Sequence, residues 1–585
     1  MKTLKNLVFS YRRMAIFLVI ILVMVLVLIG VRQLVLQPTH AVPDKFVARV
    51  GSQLLLKDKP FRFSGANIYW LGLDENVDGV KYPTRFRVDD ALATAQEMGA
   101  TVVRAHTLGI SVGCPLCIEP SLGVFNETAL QHVDYAIMSA KKHGIRLIIP
   151  LVDNFHYYHG GKHTFTDWRG IADERQFYSN STVIGDFEQY ISQILDRVNS
   201  YTGIAYKDDP TILGWETGNG LSAPPSWVQT IAGYMKSIDP DHLIIDGNNG
   251  QSYASSNFAH DLDLSDVDIY TGQYYPLNSS ALNTQAGQAL RANKVFIAEE
   301  YAWNNIGGGS PLSEFLTSVE TNFAVAGDLF WSLFSHNDTY GYVQHHDGYT
   351  LHYPGDTEDM RDRVEELRAH AYAMKGVRVP VYRTFGDPLI TKTTPELEWR
   401  GVAGAFWYTI ERSKSGPDGP WIVICDRCTD NETPWMDKNR PVGLVWYRIK
   451  AFNPSGAGNY SAVQEGERLP ARDPCSRKSM QCQTQRDYSW FTYFPGSSKE
   501  LSHKLRAFQT ERSNRCTAVA QRFERIVPKG VCLESLKSCQ APFRQKILHS
   551  GSGHRHHVGN TIHSCPKSRS MRSAPTLLLY SMPEY

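Results

Sequence analysis

Two carboxylate-bearing stretches have the residue types for bond-breaking chemistry. One reads Ile-Leu-Gly-Trp-Glu-Thr-Gly-Asn-Gly at 212–220, the other Val-Phe-Ile-Ala-Glu-Glu-Tyr at 295–301. Each starts as a short apolar run and ends in polar groups, the pattern of a buried strand whose C-terminal end opens onto a site. Carboxylates at two such strand ends, in a chain of alternating strands and helices, suit hydrolysis of a glycosidic bond. One acid attacks or activates water while the other protonates the leaving oxygen. The second stretch supplies Glu299 and Glu300, and period-two alternation predicts that only one of them faces the site. The first ends in Asn219-Gly220, where the chemistry would want a carboxylic acid.

The elements that must position these groups are short runs rich in Val, Ile and Phe at 61–69, 101–106, 146–152, 212–218, 243–247, 268–274, 295–300 and 327–333. Helical patterns lie between them, at 88–98, 127–143, 183–202, 225–238, 279–293, 311–324 and 357–375. Asp89-Asp90 suit a helix N-terminus, and Asn126 can cap the helix that ends at Gly144. Eight strands alternating with these seven helical patterns fit an α/β fold of the (β/α)8 TIM-barrel type over 46–378. An open doubly wound sheet is the alternative, but no G-x-G-x-x-G follows the first strand.

Around that barrel the organisation is asymmetric. Residues 1–13 carry Lys2, Lys5, Arg12 and Arg13 ahead of an apolar run at 14–36, which predicts a transmembrane signal anchor with a cytoplasmic N-terminus. A cleaved signal peptide is the alternative, although no clear A-x-A site follows. Residues 37–45 read as a stalk. Six N-x-S/T sequons, at Asn126, Asn180, Asn278, Asn337, Asn431 and Asn459, agree with a lumenal or extracellular barrel, hence a single-pass type II protein. Past 378 the texture changes to short strand-like runs at 397–400, 406–411, 421–425 and 446–452, expected to form a small β-sandwich over 379–469. Residues 470–585 are basic and Ser-rich, with six scattered Cys, and read as a disordered tail.

At 585 residues, 42% hydrophobic and 20% charged, this is ordinary globular material for two or three domains. A net charge of +1 gives no case for nucleic acid as a partner. Cys114-x-x-Cys117 and Cys425-x-x-Cys428 fall in different expected domains. That favours short-loop disulfides or free thiols over zinc, and nothing here requires a metal or organic cofactor.

Several strand ends together carry a resemblance. They are Phe63-Ser64-Gly65-Ala66-Asn67-Ile68-Tyr69-Trp70, Val103-Arg104, Trp215 to Asn219, Tyr274-Tyr275-Pro276, Glu299-Glu300-Tyr301-Ala302-Trp303 and Phe330-Trp331-Ser332. In their order and placement they resemble glycoside hydrolase family 5, nearest its endo-β-1,4-mannanase-like members. The resemblance implies that Glu300 is the nucleophile of a retaining mechanism, with Arg104 holding it ionised and Tyr275 donating to it. It implies that Asn219 binds the 2-hydroxyl of the reacting sugar, that Trp331 forms the floor, and that Gln273 and Trp70 contact or support the substrate. Asp153 and His156, in the loop after the third strand, are candidate substrate-site residues that could stand in for a missing acid, with ordinary loop hydrogen bonding as the alternative. The family's acid/base Glu falls at Gly220, and Gln273 stands where many relatives carry His. Residues 397–399, 408–412 and 447–453, with Gly456 and Ser461, resemble a fibronectin type III module; Trp399 and the first Tyr are expected inside it.

The function that the resemblance implies is hydrolysis of a β-1,4-linked polysaccharide of the mannan type, impaired by the loss of the acid. The alternative is a catalytically inactive, membrane-anchored glycan-binding protein that uses the same cleft, or a surface protein in which the barrel is a scaffold. On the first reading a Gly220→Glu exchange should restore polysaccharide cleavage.

Overall fold

Short, doubly buried strands separated by amphipathic helices can satisfy their backbones only by pairing in parallel, and here the parallel sheet closes on itself. The structure is a computed structural model and describes residues 44–248 and 262–469. The expected anchor at 14–36 and the tail at 470–585 lie outside the described residues, among which no helix is long and apolar enough to cross a membrane.

The eight barrel strands are β1 Phe63–Asn67, β2 Val102–Arg104, β3 Arg146–Pro150, β4 Ile212–Glu216, β5 Leu243–Ile245, β6 Ile269–Tyr274, β7 Val295–Ala302 and β8 Val325–Trp331. All neighbours are parallel, and β7 and β8 close the ring onto β1. Inward side chains (Phe63, Val102, Ile148, Leu213, Ile245, Ile297 and Leu329 among them) fill the interior. Val47 and, from a small antiparallel sheet at Ala48–Pro60, Leu54 pack against its lower end. Each such apolar side chain contributes about 1.5–3 kcal/mol by leaving water. The lower end is thereby sealed, and polar groups gather at the carboxyl ends of the strands, the mouth that barrel enzymes use.

The outer helices are α1 Arg85–Glu97, α2 Glu127–Lys142, α3 Lys162–Trp168, α4 Ser181–Leu195, α5 Pro225–Ile238, α6 Ser279–Arg291, α7 Leu312–Thr321 and α8 Glu358–Met374. Asn126 caps α2 as its sequence indicates, accepting from the Thr128 and Ala129 amides. Two expectations shift. Helix α1 starts at Arg85 under a Thr84 cap, three residues before the expected 88. Asp89 instead accepts from Tyr135 and Ser139 of α2, so its charge serves helix–helix packing and not the dipole. Helix α4 stops at Leu195, short of 202, where Asn199 accepts from the Tyr201 and Thr202 amides and turns the chain.

Beyond α8 comes a β-module. Strands β9 Leu389–Lys392 and β10 Glu398–Arg400 form one antiparallel pair. Strands β11 Trp407–Ser413, β12 Ile422–Cys428, β13 Gly443–Asn453 and β14 Gly456–Tyr460 form a second sheet in the order β12-β11-β13-β14, and β15 Gln464–Leu469 pairs with β13. Trp399, Tyr408, Tyr447 and Ile449 are buried together in its core. Disulfides join Cys114 to Cys117 and Cys425 to Cys428.

Candidate active site

The carboxyl ends of β1, β2, β4 and β7 deliver Asn67, Arg104, Glu216 and Glu300 to one buried cluster with Arg104 at its centre. The guanidinium donates through Nε and Nη2 to the two oxygens of Glu216, both at 2.7 Å. Nη1 donates to Glu300 Oε1 at 2.6 Å and to Asn67 Oδ1 at 3.3 Å, and Nη2 also reaches Asn219 Oδ1 at 2.9 Å. A planar fork with five donors is the one side chain that can bind a carboxylate bidentately and still serve a second acid. Burial works against the Arg104 charge, but Glu216, Glu299 and Glu300 overcome it and hold the group well above its ordinary value.

His106 Nε2 lies 2.6 Å from Arg104 Nη1. A guanidinium only donates, so that nitrogen must accept and the imidazole is neutral. Burial, reinforced by the Arg104 charge, pushes His106 well below its usual range, in agreement with the geometry.

Glu300 receives Arg104 on one oxygen and the Tyr275 hydroxyl on the other, at 3.1 Å. Two of the partners expected from the sequence therefore meet on this carboxylate. Its ionisation departs from expectation, however. Arg104 was expected to hold it low, but burial is the larger influence and leaves Glu300 above the ordinary carboxyl range, although Arg104 and Tyr275 pull the other way.

The alternation expected at Glu299-Glu300 also fails. Along β7 the pairing with β6 slips between Ala298 and Glu300, so Ala298 faces Gly272 and Glu300 faces Gln273. This bulge inserts Glu299 as an extra residue and turns both carboxylates toward Arg104. Glu299 Oε2 sits 3.8 Å from Arg104 Nε, and Gln273, expected to meet substrate, donates to Glu299 Oε1 at 3.1 Å.

The aromatic side of the cluster is built on Trp331, which remains partly exposed. Its indole donates to Asp347 Oδ2 at 2.6 Å and stacks on Tyr69 with centroids 5.4 Å apart and planes 12° apart. Trp70, expected at the substrate, is instead fully buried: its indole donates to the Leu333 carbonyl and it packs on Phe334. Parity explains the correction, since Asn67 faces the cluster and Tyr69 shares its side of the chain while Trp70 points outward. The same alternation could have found Tyr69. His106 and Asp347 gave no comparable signal.

Beyond β4 the acid position is held by a glycine in the left-handed region. Gly220 has φ of +61°, and a Cβ there would lie 3.1 Å from Phe155 Cε2. A side chain at 220 would therefore be strained before it met that ring. Asn219 is held at both ends of its amide, by Arg104 on Oδ1 and by Asp153 on Nδ2 at 3.3 Å. Asp153 also pairs with His159 Nε2 at 3.0 Å, so it supports Asn219 and does not stand free as an acid. His156, expected to support the substrate, lies outside the cluster. It is exposed, bound to Glu174 at 2.6 Å and stacked on His163. Glu216 cannot replace the acid, because it is fully buried with both oxygens on Arg104.

A closed parallel barrel with an Arg-held glutamate, an adjoining tyrosine and a tryptophan at its carboxyl mouth defines a class of enzyme scaffold, and comparison with known proteins narrows it. Residues 44–308 match the family model described as glycoside hydrolase family 5, β-mannosidase-like. Mannan endo-1,4-β-mannosidase 4 of Solanum lycopersicum is 32% identical over 308 residues, covering 47% of this chain and 75% of that protein. Mannan endo-1,4-β-mannosidase 3 of Arabidopsis thaliana is 35% identical over 220 residues, covering 35% of this chain and 51% of that protein. The endo-1,4-β-mannanase structure from Rhizomucor miehei is 27% identical, with 57% of this chain and all of that one covered and a TM-score of 0.48. The chain belongs to glycoside hydrolase family 5, in its mannosidase-like group. It spans about half the length of several of the curated relatives it matches.

Proposed function

We propose that the chain is a retaining glycoside hydrolase of the mannan endo-1,4-β-mannosidase type that keeps its nucleophile and lacks its proton donor. The observation that carries the reading is Glu300, gripped by Arg104 at 2.6 Å and Tyr275 at 3.1 Å at the carboxyl end of β7. Glu300 would attack the anomeric carbon while the glycosidic C–O bond breaks, leaving a glycosyl ester on the carboxylate. With Gly at 220 the leaving oxygen departs without a proton, which costs about 10²–10⁴-fold for a sugar leaving group. Water then lacks a base to remove the ester.

A dinitrophenyl β-mannoside needs no acid, so the reading expects a burst of dinitrophenolate equal to the enzyme, followed by a stall. Azide should restart turnover and yield the glycosyl azide. No burst at any pH would sink the reading.

A second reading, a glycan-binding protein without turnover, draws on the left-handed Gly220 and the ring of Phe155 beside it. It expects mannan binding without a burst. We also read 14–36 as a signal anchor, the sequons as glycan acceptors on a lumenal or extracellular barrel, and the β-module as fibronectin type III-like. Protease protection in sealed microsomes tests the orientation.

A further inference from the structure

The mechanism above makes no use of Glu299, which the β7 bulge brings into the centre of the cluster. Its side chain is buried, Oε1 receives the Gln273 amide, and Oε2 has no hydrogen-bond partner among the described residues. Among the described residues Arg104 is the cation of this cluster, and three carboxyls face it: Glu216, Glu299 and Glu300. His106 adds no charge, since its Nε2 accepts from Arg104. Full ionisation would set three buried carboxylates against one guanidinium, an imbalance that proteins avoid by retaining protons.

We propose that Glu299 stays a neutral carboxylic acid through neutral pH and acts as a positioning residue for Glu300, leaving the Arg104 charge to the nucleophile. The geometry selects Glu299 among the three. Glu216 takes two 2.7 Å bonds from the guanidinium and Glu300 takes one of 2.6 Å, whereas Glu299 sits 3.8 Å from an Nε already given to Glu216. Among the described residues, no other titratable group donates to Glu299. Asp246 and Asp153 add negative charge near Glu216 and Glu300, respectively. Tyr274 donates to Gln285, and Asp328 on β8 is occupied by Ser64, Tyr301 and His370. Burial first, and then the charge of Glu216, push Glu299 well above the ordinary carboxyl range. Loss of its proton would set a second negative charge against Glu300 and draw on the same guanidinium.

This inference rests on Glu300 as nucleophile for its kinetic arm only. A site with Gly at 220 has no general acid there to deprotonate, so an alkaline fall in the dinitrophenyl burst must have another source. In the full chain, Glu299→Gln should keep the burst rate at neutral pH within about threefold and abolish the alkaline limb. A limb that persists in the variant, or a burst lost at neutral pH, overturns the proposal.

The second arm needs no activity. A carboxyl whose folded pKa is raised costs stability as pH climbs above its unfolded value, so the Tm of Glu299→Gln relative to wild type should rise from about pH 5 to pH 9. A difference that stays flat or falls overturns the proposal, even if neither protein shows a burst. An absent burst with a rising difference condemns the hydrolase reading alone.

Discussion

Gly220 concentrates the chemistry of this chain in one residue. In the left-handed region a non-glycine side chain costs about 1–2 kcal/mol, and here the nearest neighbour of the added Cβ is the Phe155 ring at 3.1 Å. Gly220→Glu alone is therefore expected to destabilise by roughly that amount and to leave mannan cleavage close to the unmodified level. Adding Phe155→Ala removes the ring and lets the backbone at 220 relax. The double variant should release more reducing ends from mannan than either single variant. Equal activity in Gly220→Glu with and without Phe155 would show that the ring does not obstruct the acid position.

At the scale of elements, the same asparagines do two jobs that sequence patterns read separately. Asn126, Asn180 and Asn278 each begin a sequon and each cap a helix, α2, α4 and α6. For Asn180, Oδ1 accepts from the Thr182 and Val183 amides. Removing such a cap costs about 1 kcal/mol, whereas Asp keeps the acceptor and destroys the sequon. Urea unfolding of unglycosylated protein should thus show Asn180→Ala weakened by about 1 kcal/mol and Asn180→Asp nearly unchanged. A further loss in Asn180→Asp confined to glycosylated material would belong to the glycan.

At the scale of the molecule, barrel and β-module are joined through a buried ionic contact. His336, beyond β8, places Nδ1 2.9 Å from Asp90 of α1 and Nε2 3.3 Å from Asp430 of the module. Burial alone would lower its pKa, but the two aspartates dominate and lift it from 6.5 to about 10. The folded state holds this proton more tightly than the unfolded chain. Its stabilisation is therefore complete below about pH 6.5 and is lost as pH rises toward 10. His336→Asn leaves both aspartates without their cation, an uncompensated burial worth about 3–5 kcal/mol. Chemical denaturation should show the largest deficit at pH 6 and a shrinking one toward pH 10, and a pH-independent deficit would refute a charged clamp.

The barrel was legible in the sequence because doubly buried strands leave continuous apolar runs and capped helices leave Asn, Thr and Gly at their ends. All eight expected strands are present, with bounds that differ by at most two residues, and Glu300 with Arg104 and Tyr275 was implied by the family resemblance that those strand ends carry. What the sequence could not carry is whatever depends on register. A one-residue bulge in β7 turned Glu299 inward against the alternation rule, and no local residue type announces such a slip. Whether Trp70 or Tyr69 faced the cleft, and whether Asp153 stood free or braced Asn219, depended on neighbours far away in the chain. Ionisation was likewise a tertiary decision. How far burial outweighs one shared guanidinium is set only when four strands bring their ends together.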